Sequence, residues 1–149
     1  MGSWVHADSV KSIKANIIGV INFEMIGYFN EGDQPYPDKR LKKLYPKRAN
    51  FIAVVGKQSY HNFNQRVYEL MKVDAGIDVQ IIDHPMVEDL ASLSDQLNYW
   101  EFDIPALMIN NTSFIRNPNY HTMRDDISTL SFEHMRKVVT STYKAVVGF

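Results

Sequence analysis

Asn50-Phe51-Ile52-Ala53-Val54-Val55-Gly56 carries five consecutive apolar side chains, from Phe51 to Val55. Its apolar side chains do not alternate with polar ones, so both faces of the segment have to be covered. A strand of that kind belongs inside a sheet that carries helices above and below it. The residues that follow agree. Phe63, Val67, Leu70 and Met71 recur at the spacing of an amphipathic helix running from about His61 to Lys72.

Ile77 to Ile82 reads as the next strand and Ile17 to Ile26 as an earlier one. The earlier one carries Glu24 inside its apolar run and ends at Gly27, before a loop from Asn30 to Pro37. Ile104 to Ile109 reads as a further strand, opened by Pro105, which suits a strand start. Leu130 to Val147 is a closing helix with Phe132, Met135, Val138 and Val139 on one face. Trp4 to Lys14 is an opening helix at looser spacing, with Ser3 as its N-cap. Apolar strands separated by helices and long connections imply an α/β sheet covered on both faces. No repeat, low-complexity tract or linker divides residues 1–149, which read as a single domain.

Composition narrows the chemistry. Hydrophobic residues make up 45% of the 149 positions, enough to close a core in one domain. The formal net charge of −1 gives no reason to expect nucleic acid or an anionic membrane as partner. No apolar run approaches the roughly 18 residues of a membrane span, and the first residues lack the layout of a signal peptide. The compartment stays unassigned. Cysteine is missing altogether, which removes thiol catalysis, disulfides and thiolate metal sites. Six of the ten residues from Lys39 to Arg48 are basic. They read as a solvated loop or short helix, with a phosphate-binding patch as the alternative.

Chemistry in open α/β sheets gathers at the carboxyl ends of strands, and the notable residues lie there. Glu24 is a carboxylate near the end of an apolar strand, where burial is expensive unless it is paired or bound to a metal. The plainer reading is a strand-end acid that turns to solvent or pairs with a lysine. His121 sits in Tyr120-His121-Thr122-Met123-Arg124-Asp125-Asp126, shortly after the strand at Ile104. Its neutral imidazole suits a metal, and a nearby acid could hold the second ring nitrogen; otherwise it is a solvated loop histidine. Ser94-Asp95-Gln96 reads on spacing as a helix or turn cap. His61 is a cap-region residue, His84 belongs to a turn, and His6 and His134 occupy helix surfaces. Asn110-Asn111-Thr112 is a glycosylation sequon placed directly after a buried strand. There is no Gly-rich phosphate loop, no His-Glu-x-x-His helix and no Gly-x-Ser-x-Gly elbow.

Taken in order, five segments resemble the C-terminal half of the di-zinc aminopeptidases. This is metallopeptidase family twenty-eight, which also contains the glutaminyl cyclases. The segments are residues 22–28 (Asn-Phe-Glu-Met-Ile-Gly-Tyr), 51–56, Ser94-Asp95-Gln96, 104–109 and Arg116-Asn117-Pro118-Asn119-Tyr120-His121-Thr122, the last being the most specific. The resemblance runs from about Gly2 to Val147. It implies an α/β fold with a partial mixed sheet of about four strands flanked by helices, lacking the family's N-terminal half. Its open apolar edge would be the strand from Ile104 to Ile109, and self-association through that edge is expected.

The same resemblance implies roles. Glu24 falls on an acidic ligand to one zinc, where the family usually has Asp, and His121 on a histidine ligand to the other. Tyr120 flanks that ligand, Asp125 supports its loop, and Asp95 matches a supporting acid in the catalytic region. Gln96 stands where the family has His. In the complete site two zinc ions polarise the scissile carbonyl of a peptide or aminoacyl substrate and activate a water. A separate Glu acts as general base. The family's first His ligand, bridging Asp and Glu pair all precede the matched region. The expectation is therefore that this chain alone binds zinc weakly and does not hydrolyse aminoacyl substrates. Two further readings stand beside this one: a non-catalytic α/β binding or assembly module, and a glutaminyl cyclase-like acyltransferase.

Overall fold

The computed structural model describes residues 2–149 except the side chain of Met86. Among the described residues four strands form one mixed sheet: β1 (Val20–Glu24), β2 (Phe51–Gly56), β3 (Asp78–Ile82) and β4 (Ala106–Asn110). The spatial order is β1-β4-β2-β3. β1 runs parallel to β4 and β2 parallel to β3, while β2 and β4 are antiparallel. The carboxyl ends of β1 and β4 therefore share one end of the sheet, with Glu24 opposite Asn110.

Burial explains the order. Every residue of β2 and β4 is buried, so the two uninterrupted apolar runs take the centre. β1 and β3 alternate more and take the edges. This corrects one expectation. The strand after Ile104 is not the open edge but an interior strand, because its side chains are covered on both faces. The free edge on that side is β1, where Ile18 and Phe23 are exposed.

Helices cover both faces. On one face α1 (Gly2–Ser12), α4 (Glu88–Ala91) and α5 (Gln96–Trp100) pack over Phe51, Ala53, Val55, Ala106 and Met108. Trp100 Nε1 donates to the Ala106 carbonyl at 2.8 Å and holds α5 on β4. On the other face α3 (His61–Lys72) and α7 (Phe132–Val147) pack over Ile52, Val54, Leu107 and Ile109. α3 also makes the crossover between the parallel β2 and β3. Two short helices, α2 (Leu41–Leu44) and α6 (Ser113–Arg116), lie in the connections around the sheet.

Helix details differ from the periodicity reading in two places. Ser3 lies inside α1 instead of capping it; its Oγ donates to Asp95 at 2.6 Å and accepts from Asn98 at 2.8 Å, docking α1 on α5. α7 buries Val138, Ser141, Thr142 and Ala145, whereas Phe132 and Val139 face out. Small side chains let α7 sit close to α3, so the buried stripe is the one least visible by hydrophobicity.

Candidate active site

Glu24 closes β1, and its carboxylate accepts from Ser94 Oγ at 2.8 Å. Asn22, two residues earlier on the same face, donates to Ser94 Oγ at 3.0 Å and to Gln96 Oε1 at 3.2 Å. Gln96 is fully buried and donates in turn to the Ala91 carbonyl. The Gln96 amide thus knits α4 and α5 to β1. Asp95 behaves otherwise. It is exposed, and its carboxylate accepts from Ser3 on α1.

A second wall comes from the end of β4. Asn110 Nδ2 donates to the Glu24 carbonyl at 3.0 Å and to Ser113 Oγ at 2.6 Å, and its Oδ1 accepts from the Thr112 amide. Asn111, the middle residue of that sequon, is buried and donates to the Tyr28 carbonyl at 2.9 Å. Two adjacent asparagines therefore tie the loops after β4 and β1 into one body.

Beyond them the chain bends into the His121 loop. Asn117 is buried; it accepts from the Asn119 amide at 2.9 Å and donates to Asp125 at 3.1 Å. Asp125 thus braces the loop through Asn117. Tyr120 and His121 stack with ring centroids 3.8 Å apart and an interplanar angle of 18°. His121 itself is exposed.

Between these walls lies a cleft of about 140 Å³. Glu24, Ser94, Asn110 and Ser113 make its polar end, and Leu41, Tyr45, Met108 and Phe114 line its apolar body. Tyr120 reaches the cleft and carries His121 at its side. The structure therefore brings Glu24 and Tyr120 to one cleft, stacks the exposed His121 on Tyr120, ties Asp125 to Asn117 in the same loop, and leaves Asp95 on the α1 side.

Sequence reasoning passed over the cleft's outer wall. Gln34 and Tyr36 come from the loop from Asn30 to Pro37, and Leu41 and Tyr45 from the basic segment that reads as a solvated loop or short helix. Tyr36 donates to the Pro46 carbonyl at 2.7 Å, and burial pushes its hydroxyl up to about 12. The aromatic residues interleaved with lysines were the available signal. Backbone strain also gathers here. Met25, Thr112, Ser113 and His121 all have left-handed φ, at 50°, 75°, 46° and 58°. Non-glycine residues held so are concentrated at functional sites in folded proteins.

The fit to zinc is incomplete. The described residues contain no group of three or more His, Asp or Glu side chains able to hold a metal ion. A catalytic zinc takes about three protein ligands. Glu24 and His121 by themselves do not meet that need, and no chemical step through a metal follows from these residues.

Comparison with known proteins is consistent with this geometry. YfbL of Escherichia coli (strain K12), described as uncharacterised, is 38% identical over 141 residues, covering 93% of this chain and 43% of its own length. Two crystal structures of LapA from Legionella pneumophila, one of them titled an aminopeptidase, share the fold. Their TM-scores are 0.66 and 0.70, each at 21% identity, over 97% and 98% of this chain and 34% and 35% of theirs. The chain thus spans less than half the length of these relatives. The family model described as "Peptidase family M28" matches residues 1–146, nearly the whole sequence. On that match, and with a cleft at the carboxyl ends of β1 and β4, the chain belongs to peptidase family M28.

Proposed function

We propose that this chain forms one side of the active site of an aminopeptidase-type hydrolase. In this reading it supplies an apolar pocket for the side chain of a peptide's N-terminal residue. It also supplies one ligand to each of two zinc ions, Glu24 to one and His121 to the other. The remaining ligands and the general base lie outside these 149 residues. The observation that carries the reading is convergence: Glu24 and Tyr120, nearly a hundred positions apart, line the same cleft, and His121 stacks on Tyr120.

Substrate size and polarity fit that pocket. Apolar side chains make most of the cleft, and Glu24, Ser94, Asn110 and Ser113 bring hydrogen-bonding groups together at one end of it. That is the arrangement of sites that bind an apolar group and orient it through a few polar contacts. Asp95 is left with a supporting role at most, through the Ser94-Asp95-Gln96 turn.

Hydrolysis of a leucine anilide by the zinc-loaded, contaminant-free chain tests the reading. No turnover above buffer is expected, since a complete site needs more ligands than the described residues group together. Measurable turnover would overturn the assignment of the remaining ligands to residues outside this segment. The second reading, a non-catalytic binding or assembly module, draws on Gln96, whose amide is committed to Asn22 and Ala91. It requires that zinc leave Glu24 and His121 undisturbed.

A further inference from the structure

Arg116 is the one charged residue among the described residues that is buried, at 3% exposure, and no carboxylate pairs with it. It ends α6, five positions before His121. Its Nε donates to Gln34 Oε1 and its Nη1 to the Phe51 carbonyl, both at 2.7 Å. Its second terminal nitrogen, Nη2, has no acceptor among the described residues. The cation lies 4.4 Å from the ring centre of Phe51 and 5.6 Å from that of Phe29.

Such a site is an expensive way to fill space. Removing an ion from water opposes folding, and here desolvation pulls the guanidinium down to about 10. An apolar side chain would avoid that penalty. What the guanidinium adds is direction, since its planar fork fixes two acceptors at set angles.

Those acceptors belong to separate parts of the cleft. Gln34 is itself buried; its amide donates to Thr112 Oγ1 and to the Pro35 carbonyl, both at 2.9 Å, and its backbone N–H donates to Lys47 at 2.7 Å. It therefore anchors the segment that carries Tyr36 and Tyr45. Phe51 opens β2 in the sheet. Arg116 joins this outer wall and the sheet to the root of the His121 loop.

We propose that Arg116 is a positioning residue that, through Gln34, holds the His121 loop and the outer wall of the cleft as one body. Its consequence for catalysis rests on the reading of His121 as a ligand, but the coupling itself does not. The test is magnetic resonance of the full chain without metal or substrate, so its failure is distinct from failure of the zinc assignment. Stacking on Tyr120 gives the His121 ring protons an upfield ring-current shift. Gln34→Ala, which removes the side-chain acceptor, is expected to abolish part of that shift, and Arg116→Lys to do the same. Arg48→Ala, which only cuts the surface pair with Glu31, is expected to leave it unchanged. A folded Gln34→Ala chain with unaltered His121 resonances overturns the proposal, because a merely structural contact would lower stability alone. Should the variants not fold, hydrogen exchange of the wild-type chain decides. Gln34 and Asn117 amides opening with one common free energy support the coupling, and unequal values overturn it.

Discussion

Asn110 donates to the backbone carbonyl of Glu24 at 3.0 Å, across the register pair that closes β4 and β1. The carboxylate of Glu24 is thereby aimed from a strand end whose backbone is fixed from the neighbouring strand. Asn110 is 2% exposed, and its side chain also satisfies Ser113 Oγ and the Thr112 amide. Asn110→Ala leaves these groups without their partner inside the protein. A loss of about 1–3 kcal/mol is expected, the range for an unsatisfied buried polar group. Urea unfolding at constant m-value measures it, and an unchanged midpoint would contradict the role given to Asn110.

Gly56 ends β2 against the side chain of Asn64 on α3. A Cβ at position 56 would come within 2.4 Å of Asn64 Oδ1 and 2.6 Å of its Cγ and Nδ2, and Asn64 is fully buried. The Asn64 amide is not free to retreat, since it donates to the Lys57 carbonyl at 3.0 Å and to Asp83 at 3.2 Å. Gly56→Ala is expected to destabilise the chain by about 1–3 kcal/mol through overpacking. In Gly56→Ala with Asn64→Ala the combined loss should fall short of the sum, since one change makes room for the other. Strict additivity would count against this contact.

Asp38 sits beside the cleft wall and accepts from Arg40 Nη2 at 2.6 Å and from the Arg40 amide at 2.7 Å. These bonds hold its carboxyl down to about 2. A depressed folded value stabilises the chain above the ordinary carboxyl value, and the effect is lost as pH falls from there toward 2. Arg40→Ala removes the guanidinium bonds but keeps the backbone amide, so the Asp38 carboxyl is expected to rise part of the way toward its ordinary value. Carbon-detected titration of the Asp38 carboxyl reads this directly, and an unshifted value in the variant would refute it.

The β1 edge bears exposed Phe23, with exposed Ile18 just before it, next to backbone groups that no strand among the described residues pairs on its outer side. Edges of this kind recruit another strand. A second copy pairing antiparallel about Asn22 would set Ile21 against Phe23. Light scattering at high concentration is expected to give a mass above 17.2 kDa for the wild-type chain and a monomer for Phe23→Lys. A clean wild-type monomer under those conditions would contradict self-association.

Much of the fold was legible because its strongest signals are apolar runs. Phe51 to Val55 and Ala106 to Ile109 have no polar member, which is the mark of strands covered on both faces. That same mark argues against Ile104 to Ile109 as the open edge, since an edge strand tolerates residues such as Asn22 and Glu24. The buried stripe of α7 was obscured by its small and polar members, Ser141 and Thr142. At the site, Glu24 and the His121 loop stood out as polar residues at strand ends. The outer wall did not, because its tyrosines and Leu41 are spaced among lysines. Left-handed φ at Met25, Thr112, Ser113 and His121 leaves no trace in residue type, as none is glycine. Arg116 read only as part of a motif, and its burial became visible when Gln34 and Phe51 were seen around it.

In the proposed function Glu24 and His121 each contribute a ligand to a zinc site these residues do not complete. Zinc titration of the chain, followed by magnetic resonance, tests it most directly. Weak binding is expected, with shifts centred on Glu24 and His121 that Glu24→Gln and His121→Ala each remove at their own position. Tight stoichiometric binding, or zinc shifts that leave both residues untouched, would contradict it.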